Sequence, residues 1–455
     1  MRPSFHARKS RRNFLKSAGA AALAPLAPRI LPASALGADG ATPPSERISL
    51  GLIGIGMVGQ GHLRGFLSAA DVQVVAVCDV DRWRRENAQS TTEQAYAERR
   101  TSGTYRGCAA YLDLRELLAR DDLDAVFIAT GDRWHGVATV MAAKAGKDVY
   151  VEKPISLTVA EARAMVRAVR RYDRVCQCGL QQRSTREFRL ACQLVRDGAI
   201  GKIQEVYVPG PGTSRDVNLP AEPVPDSLDW DLWLGPSPWR PFNHRFVYLG
   251  KPLNVVPWDF CRDFGGGSLT SGTVHAFDVV QWGLGIDHAG PFEVIPPAAG
   301  IFPDLTYRYP DGVLLRVVPG RLDPKKHAIP QGWDANTPLH SFGALFVGER
   351  GWIDVGREGY LRSFPADLIK NYPADYEPLI AGESHHRNWF NAIRSRNRPA
   401  CDVAVGCQST IVSHLGCIAY WTGRALKWDP AAEQFLGDDE ANRLLFRALR
   451  EPWRV

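Results

Sequence analysis

Two side chains in this 455-residue chain have the chemistry to act on a hydroxyl group. Lys153 stands in VEKPIS, residues 151–156, closing the apolar run KDVYVEKP. His275 stands in FGGGSLTSGTVHAFDVVQWGLG, residues 264–285. A neutral imidazole can take a hydroxyl proton, and an ammonium can stabilise the alkoxide that develops. A lysine by itself is most often a solvated charge, and a histidine by itself a satisfied core residue. Position separates these two from that background. Pro154 fixes the turn after a strand, a cis Lys153–Pro154 bond being one way to make it, and so holds the ammonium at the strand end. His275, Asp278, Val279 and Trp282 recur at spacings of three and four, hence on one helix face, with Asp278 a candidate neighbour of the base.

The second constellation is a loop. GIGMVG, from Gly54 through Ile55, Gly56, Met57 and Val58 to Gly59, follows the apolar run ISLGLI and precedes a helical pattern. The first glycine permits the turn, the second lets backbone approach a pyrophosphate, and the third lets helix and strand pack closely. Asp79 lies 20 residues beyond Gly59, at the end of VVAVC, where an acid accepts both ribose hydroxyls and repels a 2′-phosphate. The expected cofactor is therefore NAD rather than NADP, with Arg82 nearby the one feature that favours NADP. TGDRWH, residues 130–135, ends another strand at the same edge of the sheet. Thr130, Asp132, Trp134 and His135 are accordingly candidate cofactor contacts, as are Glu152, Lys153 and Gln181. Arg183, in GLQQRS, can hydrogen-bond several sugar oxygens at once, or make an ordinary ion pair. With Trp258 and Asp278 it completes the candidate substrate contacts.

These groups need elements to position them. ISLGLIGIG, DVQVVAVCD, LDAVFIAT, KDVYVEKP and RVCQCGL read as buried strands, and DLRELLAR, HGVATVMAAKAG and VAEARAMVRAVRRYD as the helices between them. That alternation predicts an α/β, doubly wound parallel sheet over residues 46–179. After Gly201 the pattern changes. KIQEVYVPG reads as an alternating strand, and GVLLRVVPG and ALFVGERGWIDV as antiparallel strands and turns, of a second domain, residues 180–455, which ends in helices at HHRNWFNAIRS and STIVSHLGCIAYWTGRAL. The Pro/Trp-rich stretch between Pro209 and Pro257 reads as long loops over a site, because tryptophans need cover.

Composition narrows the partners. The chain is 45% apolar and 23% charged, and its formal charge is +6. Seven of the 55 basic residues and only one of the 49 acids, Asp39, fall in residues 1–40, so the remainder carries 48 of each. A balanced chain gives no electrostatic case for nucleic acid. A carbohydrate-sized small molecule is the expected partner, with a homo-oligomer left open. The nine cysteines show no metal spacing, and no metal is expected. Cys176 and Cys178 alternate in a strand-like run and read as core packing.

Residues 1–38 carry SRRNFLK, a weakly hydrophobic SAGAAALAPLA and small residues near Ala33–Ala38. This is the pattern of a twin-arginine export signal, and it predicts a periplasmic or otherwise exported protein with no stable membrane anchor once the signal is removed.

GIGMVG, CDVD, EKPIS and GGG…HAFD together resemble the glucose–fructose oxidoreductase/inositol dehydrogenase/MocA (Gfo/Idh/MocA) family, from about Ile48 to the end of the chain. HHRNWFNAIRSRNRP and STIVSHLGCIAYWTGRALKWDP are similar to the C-terminal domain of its exported bacterial members. The resemblance implies a Rossmann domain followed by an α/β domain with a largely antiparallel open sheet. It also implies that Lys153 and His275 work on a sugar or cyclitol hydroxyl. Inositol dehydrogenases place an aspartate four residues before the histidine; here that position is Ser271, which sets the chain apart from their polyol relay. Three functions follow: an NAD-dependent sugar or glycoside oxidoreductase, a redox-neutral NAD-dependent glycosidase that oxidises, eliminates, hydrates and reduces, and a non-catalytic sugar-binding or scaffold protein. Export favours tightly bound NAD, because a folded protein can carry out a cofactor that could not be replaced outside.

Overall fold

Five of the apolar runs become parallel strands of one sheet. The computed structural model describes residues 46–210, 212–247, 258–370 and 383–455. The expected export signal at 1–38 lies outside the described residues. The first sheet contains β1 (Ile48–Ile53), β2 (Val72–Cys78), β3 (Ala109–Tyr111), β4 (Ala125–Ile128), β5 (Asp148–Val151) and β6 (Cys176–Cys178). Its order is β3-β2-β1-β4-β5-β6, and every pairing is parallel. β4 and β5 are buried along their whole length, as strands covered on both faces must be. The longer helices of this half are α1 (Met57–Leu67), α2 (Arg82–Ala95), α3 (Asp132–Lys144) and α4 (Val159–Arg171). Strand order reverses between β1 and β4. Gly54 and Thr130 therefore flank the crevice where such sheets bind ligands.

The second sheet has nine strands in the order β13-β12-β11-β7-β10-β9-β8-β14-β15. They are β7 (Ile203–Pro209), β8 (Glu293–Ile295), β9 (Leu305–Arg308), β10 (Leu314–Val318), β11 (Ala344–Gly348), β12 (Gly351–Val355), β13 (Leu361–Phe364), β14 (Leu426–Asp429) and β15 (Gln434–Phe435). Only β7 and β10 run parallel; the other pairings are antiparallel. The longer described helices of this half are α5 (Arg186–Arg196), α6 (Thr273–Gly283), α7 (His385–Ser395) and α8 (Val403–Thr422). α6 packs against α5, α8 and β7. By length and composition α8 could cross a membrane, but 83% of its most apolar window is buried in this core.

The tail of the chain returns to the first sheet. Cys178 N donates to Cys401 O at 2.9 Å, and Gln177 Oε1 accepts from Cys401 N at 3.0 Å. Arg387 of α7 pairs with Asp71, and Arg396 with Asp148. Ile48–Val455 consequently forms one compact unit. Residues 211 and 248–257 of the Pro/Trp-rich stretch lie outside the described residues; its described part makes a small apolar core with Phe264, in which Trp230 and Trp233 stack at 4.6 Å beside Phe242 and Phe246. All nine cysteines are buried free thiols.

Candidate active site

A cavity of about 290 Å³ opens at the switch point of the first sheet, and most of the residues expected at a cofactor site line it. Gly54 has φ +88°, and a Cβ there would lie 2.7 Å from the Ala129 backbone. At Gly59 a Cβ would lie 2.2 Å from Gly54 O, so only glycine lets α1 start so close to the loop. Gly56 caps α1 without a side-chain bond, which leaves the first helical amides available to an anion. Met57 and Val58, both exposed, complete that side of the cavity; Ile55 is fully buried, and neither Ile55 nor Gly59 forms part of the wall.

Asp79 reaches the loop from β2. Its Oδ2 accepts from Ile55 N at 2.7 Å and its Oδ1 from Asp81 N at 2.9 Å. Burial raises its pKa, while the Arg84 charge and the two amides work the other way. Each carboxylate oxygen keeps a lone pair for a hydroxyl. Arg84, rather than Arg82, stands in the cavity wall, with its Nη1 3.7 Å from where a Gly56 Cβ would be. The sequence offered only a run of arginines, DRWRR. Asp81 caps α2 through the amides of Trp83 and Arg84, and so turns the fourth residue of that run toward the loop.

The opposite wall comes from the ends of β4 and β5. Thr130, Asp132, Trp134, His135, Glu152 and Lys153 all line it. His135 links the two turns, with Nδ1 2.6 Å from Pro154 O and Nε2 3.0 Å from Thr130 O. Burial pulls its pKa down to about 4, so the neutral ring donates to one carbonyl, and the shorter contact marks Nδ1 as the donor. Trp134 Nε1 donates to Leu232 O at 3.0 Å, and its ring packs on Gly235 and edge-on to Trp453. The neighbouring Arg133, unforeseen in the sequence, lies 3.5 Å from the Trp233 ring and donates to Trp233 O. Burial lowers its pKa to about 9. These contacts hold the Pro/Trp-rich stretch against the cavity, as its tryptophans suggested, and Trp258 stands in the wall.

Lys153 follows β5 through a cis bond to Pro154, and its Nζ donates to Ser271 O at 2.6 Å. Glu152 accepts from Gln181 Nε2 at 3.1 Å and lies 3.2 Å from His62 Nε2. Burial works to raise the Glu152 pKa, but the His62 hydrogen bond and the charges of His62 and Lys153 hold it below the usual range. His62 in turn is 2.7 Å from His386 Nε2, so a histidine pair backs the acid. Gln181 is not itself in the wall.

His275, Arg183 and Asp278 lie outside the wall. His275 is 2% exposed, and burial, with the charges of Lys153, Arg357 and His385, sets its pKa well below the usual value. Its Nδ1 lies 2.8 Å from the Gln182 amide. With that amide oriented to satisfy both neighbours, nitrogen donates to His275 and oxygen accepts from Arg357 Nε and Nη2, each at 3.0 Å. The neutral ring then carries its proton on Nε2. Arg183, 5% exposed, spends its guanidinium on Asp278 and Asp287, at 2.9 and 2.6 Å. Asp278 also accepts from Ser409 Oγ at 2.8 Å, and burial raises its pKa against the pull of Arg183. Asp278 is thus the partner of Arg183 rather than of His275.

Residues 48–180 match a family model described as an oxidoreductase family with an NAD-binding Rossmann fold. Residues 212–332 and 351–455 match the C-terminal alpha/beta domain of the same family. The chain belongs to the Gfo/Idh/MocA oxidoreductase family. Among curated Gfo/Idh/MocA-like relatives, a glycosyl hydrolase family 109 protein of Shewanella pealeana is 30% identical over 43% of this chain and 44% of its own length. Myo-inositol 2-dehydrogenase of Thermotoga maritima is 29% identical over 40% of this chain and 47% of its own. The chain therefore spans less than half the length of these relatives. The fold is shared with an aldose-aldose oxidoreductase from Caulobacter crescentus (TM-score 0.52, 18% identity, 84% of this chain and 99% of that one). It is shared also with the WlbA dehydrogenase of Bordetella pertussis (TM-score 0.54, 17% identity, 84% and 98%). The open glycine loop, the uncapped helix and the acid at the end of β2 fit a nicotinamide dinucleotide.

Proposed function

We propose that this protein is an exported, NAD-dependent oxidoreductase acting on a hydroxyl of a sugar or glycoside. One observation carries the reading: a single cavity is lined by the glycine loop, Asp79 and Lys153. Gly54, Gly56, Met57 and Val58 would hold the pyrophosphate, and Asp79 the adenosine ribose, in preference to a 2′-phosphate. A nicotinamide bound here supplies a hydride acceptor. Lys153, fixed by Ser271, brings a positive charge to a substrate hydroxyl and favours its alkoxide. His135 ties the two strand-end turns together and so positions Lys153. The apolar wall of Trp233, Phe246 and Trp258 gives a sugar ring a face to stack on and excludes water.

Export by the twin-arginine route would place the protein where lost cofactor is not replaced, so tightly held NAD and a closed redox cycle belong to the same proposal. The similarity to glycosyl hydrolase family 109 proteins favours a second reading, a redox-neutral glycosidase. The purified protein should release about one NAD per chain on denaturation, measured by mass spectrometry. It should also convert a sugar or glycoside from a broad panel without added nucleotide. Cleavage of a glycoside would select the second reading. Absence of any dinucleotide would overturn both.

A further inference from the structure

Oxidation of a hydroxyl leaves one proton in the cavity for every hydride that a nicotinamide takes, and return of the hydride draws one back. That proton needs a route past a wall that includes Trp233, Phe246 and Trp258. A row of three side chains leads from the wall outward. It begins at Glu152, which lines the cavity directly after β5. It continues through His62 of α1, whose Nε2 lies 3.2 Å from Glu152 Oε1. It ends at His386 of α7, whose Nε2 lies 2.7 Å from His62 Nδ1. Both separations are within the range over which a proton passes directly between heavy atoms. Glu152 is 5% exposed, whereas both histidines are partly exposed.

Several contacts hold the row in place. A Cβ on Gly179 would lie 2.6 Å from Glu152 Oε1 and would push the carboxylate away from this position. Glu152 Oε2 accepts from Lys153 N at 3.2 Å and Oε1 from Gln181 Nε2 at 3.1 Å. Gln181 Nε2 also donates to the Tyr150 hydroxyl at 3.3 Å. Phe127 packs on the His62 ring at 4.6 Å and Phe66 on the His386 ring at 4.7 Å, and the two imidazoles stand at 64° to each other. Donors on both oxygens mark Glu152 as a carboxylate, so His62 turns an N–H toward it from Nε2. The neutral His62 ring then has a bare Nδ1, and His386 Nε2 is the donor of the pair. Burial, then the charges of His62 and His385, lowers the His386 pKa to about 3, so the outer ring passes a proton on without keeping it.

We propose that His386, His62 and Glu152 form a proton relay between solvent and the cavity, which supplies the proton when hydride returns to a carbonyl and withdraws it when a hydroxyl is oxidised. The inference rests on the oxidoreductase reading above. Inward, a proton bonds to His386 Nδ1, the Nε2 proton of His386 passes to His62 Nδ1, and the Nε2 proton of His62 passes to Glu152. Each ring gains one proton and loses one. Glu152 then gives its proton to the cavity. There it bonds to the oxygen that gained the C=O electron pair as hydride added to the carbon. Oxidation runs the same transfers backward. His62 and His386 lie outside the wall and act through Glu152, and the relay works behind the group that first takes the hydroxyl proton.

Rapid mixing of the purified holoprotein, in weak buffer, with a sugar or glycoside that reduces the bound cofactor tests the relay. Nicotinamide absorbance and a pH-indicator dye are followed together. In wild type, proton release should keep pace with reduction. In His386→Ala, and in the closer substitute His386→Gln, release should lag by about tenfold or more while the dinucleotide stays bound. Added imidazole should remove the lag in His386→Ala, which a merely structural role of the ring would not allow. Release in step with reduction in both variants, or a lag that imidazole leaves unchanged, would overturn the relay. Nitrogen NMR of histidine-labelled holoprotein should show a bare, hydrogen-bonded Nδ1 on His62 facing a protonated Nε2 on His386, with both signals displaced in His62→Gln; two rings without a shared hydrogen bond would also overturn it. If no sugar or glycoside reduces the wild type, the oxidoreductase reading fails and the task of the relay with it, while the nitrogen spectra still decide the histidine pair.

Discussion

Asp79 joins two functions that a substitution can separate. It orders the glycine loop through Ile55 N, and it presents the remaining lone pairs to a ribose. Asp79→Ser should lower the preference for NAD over NADP by about tenfold or more, about 1.4 kcal/mol, read as the ratio of the two nucleotides that co-purify. An unchanged ratio would remove the ribose role. Arg183 calls for the opposite readout. Replacing it by alanine leaves Asp278 charged and buried without its cation, a loss of about 3–5 kcal/mol in denaturant unfolding. A change confined to KM, with stability intact, would instead restore the sugar contact that its sequence position suggested. Lys153, Asp79 and the glycines were legible because local rules fix them: a strand, a turn, a helix start. Arg84 was not, since its place in the wall arises from the helix cap that Asp81 makes.

At the level of elements, the loop–helix junction is the least tolerant part of the site. Gly59→Ala drives a methyl into a backbone carbonyl that cannot move aside. It should cost about 1–3 kcal/mol of stability and empty the cofactor site. Retention of bound dinucleotide at normal stability would show that α1 can shift. Buried histidines add a pH dependence. Burial lowers His135, His385 and His414 to about 4 and His386 to about 3. Below about pH 6.5 the unfolded chain takes up protons that the folded one refuses. Their stability is therefore fully present above that pH and is lost as pH falls toward about 4, or about 3 for His386, by up to about 3–5 kcal/mol per group. The melting temperature should fall steeply over this window, and His414→Gln, which keeps a donor toward Ser156 O, should flatten the slope. An unchanged slope would mean that His414 charges freely when folded. Most strands could be read from their apolar runs, because burial on both faces leaves little else. β3, only AAY, carries no such signal and was missed, as were the short strands β8, β9, β13, β14 and β15 of the second sheet.

At the scale of the whole molecule, late segments of the chain return to the first sheet. α7 and α8 come late in sequence but lean on the first sheet, and Trp453 packs on Trp134 beside the cavity. Such long-range returns leave no trace in periodicity. The account's central claim is that one cavity unites a nicotinamide with Lys153 over a sugar hydroxyl. Rapid mixing of the purified protein with sugars or glycosides, followed by absorbance of reduced nicotinamide without added nucleotide, tests it most directly. The wild type should form reduced cofactor in a single turnover, and Lys153→Ala should retain its dinucleotide while the rate drops by ~10²–10⁴. Equal rates in the two proteins would contradict the claim.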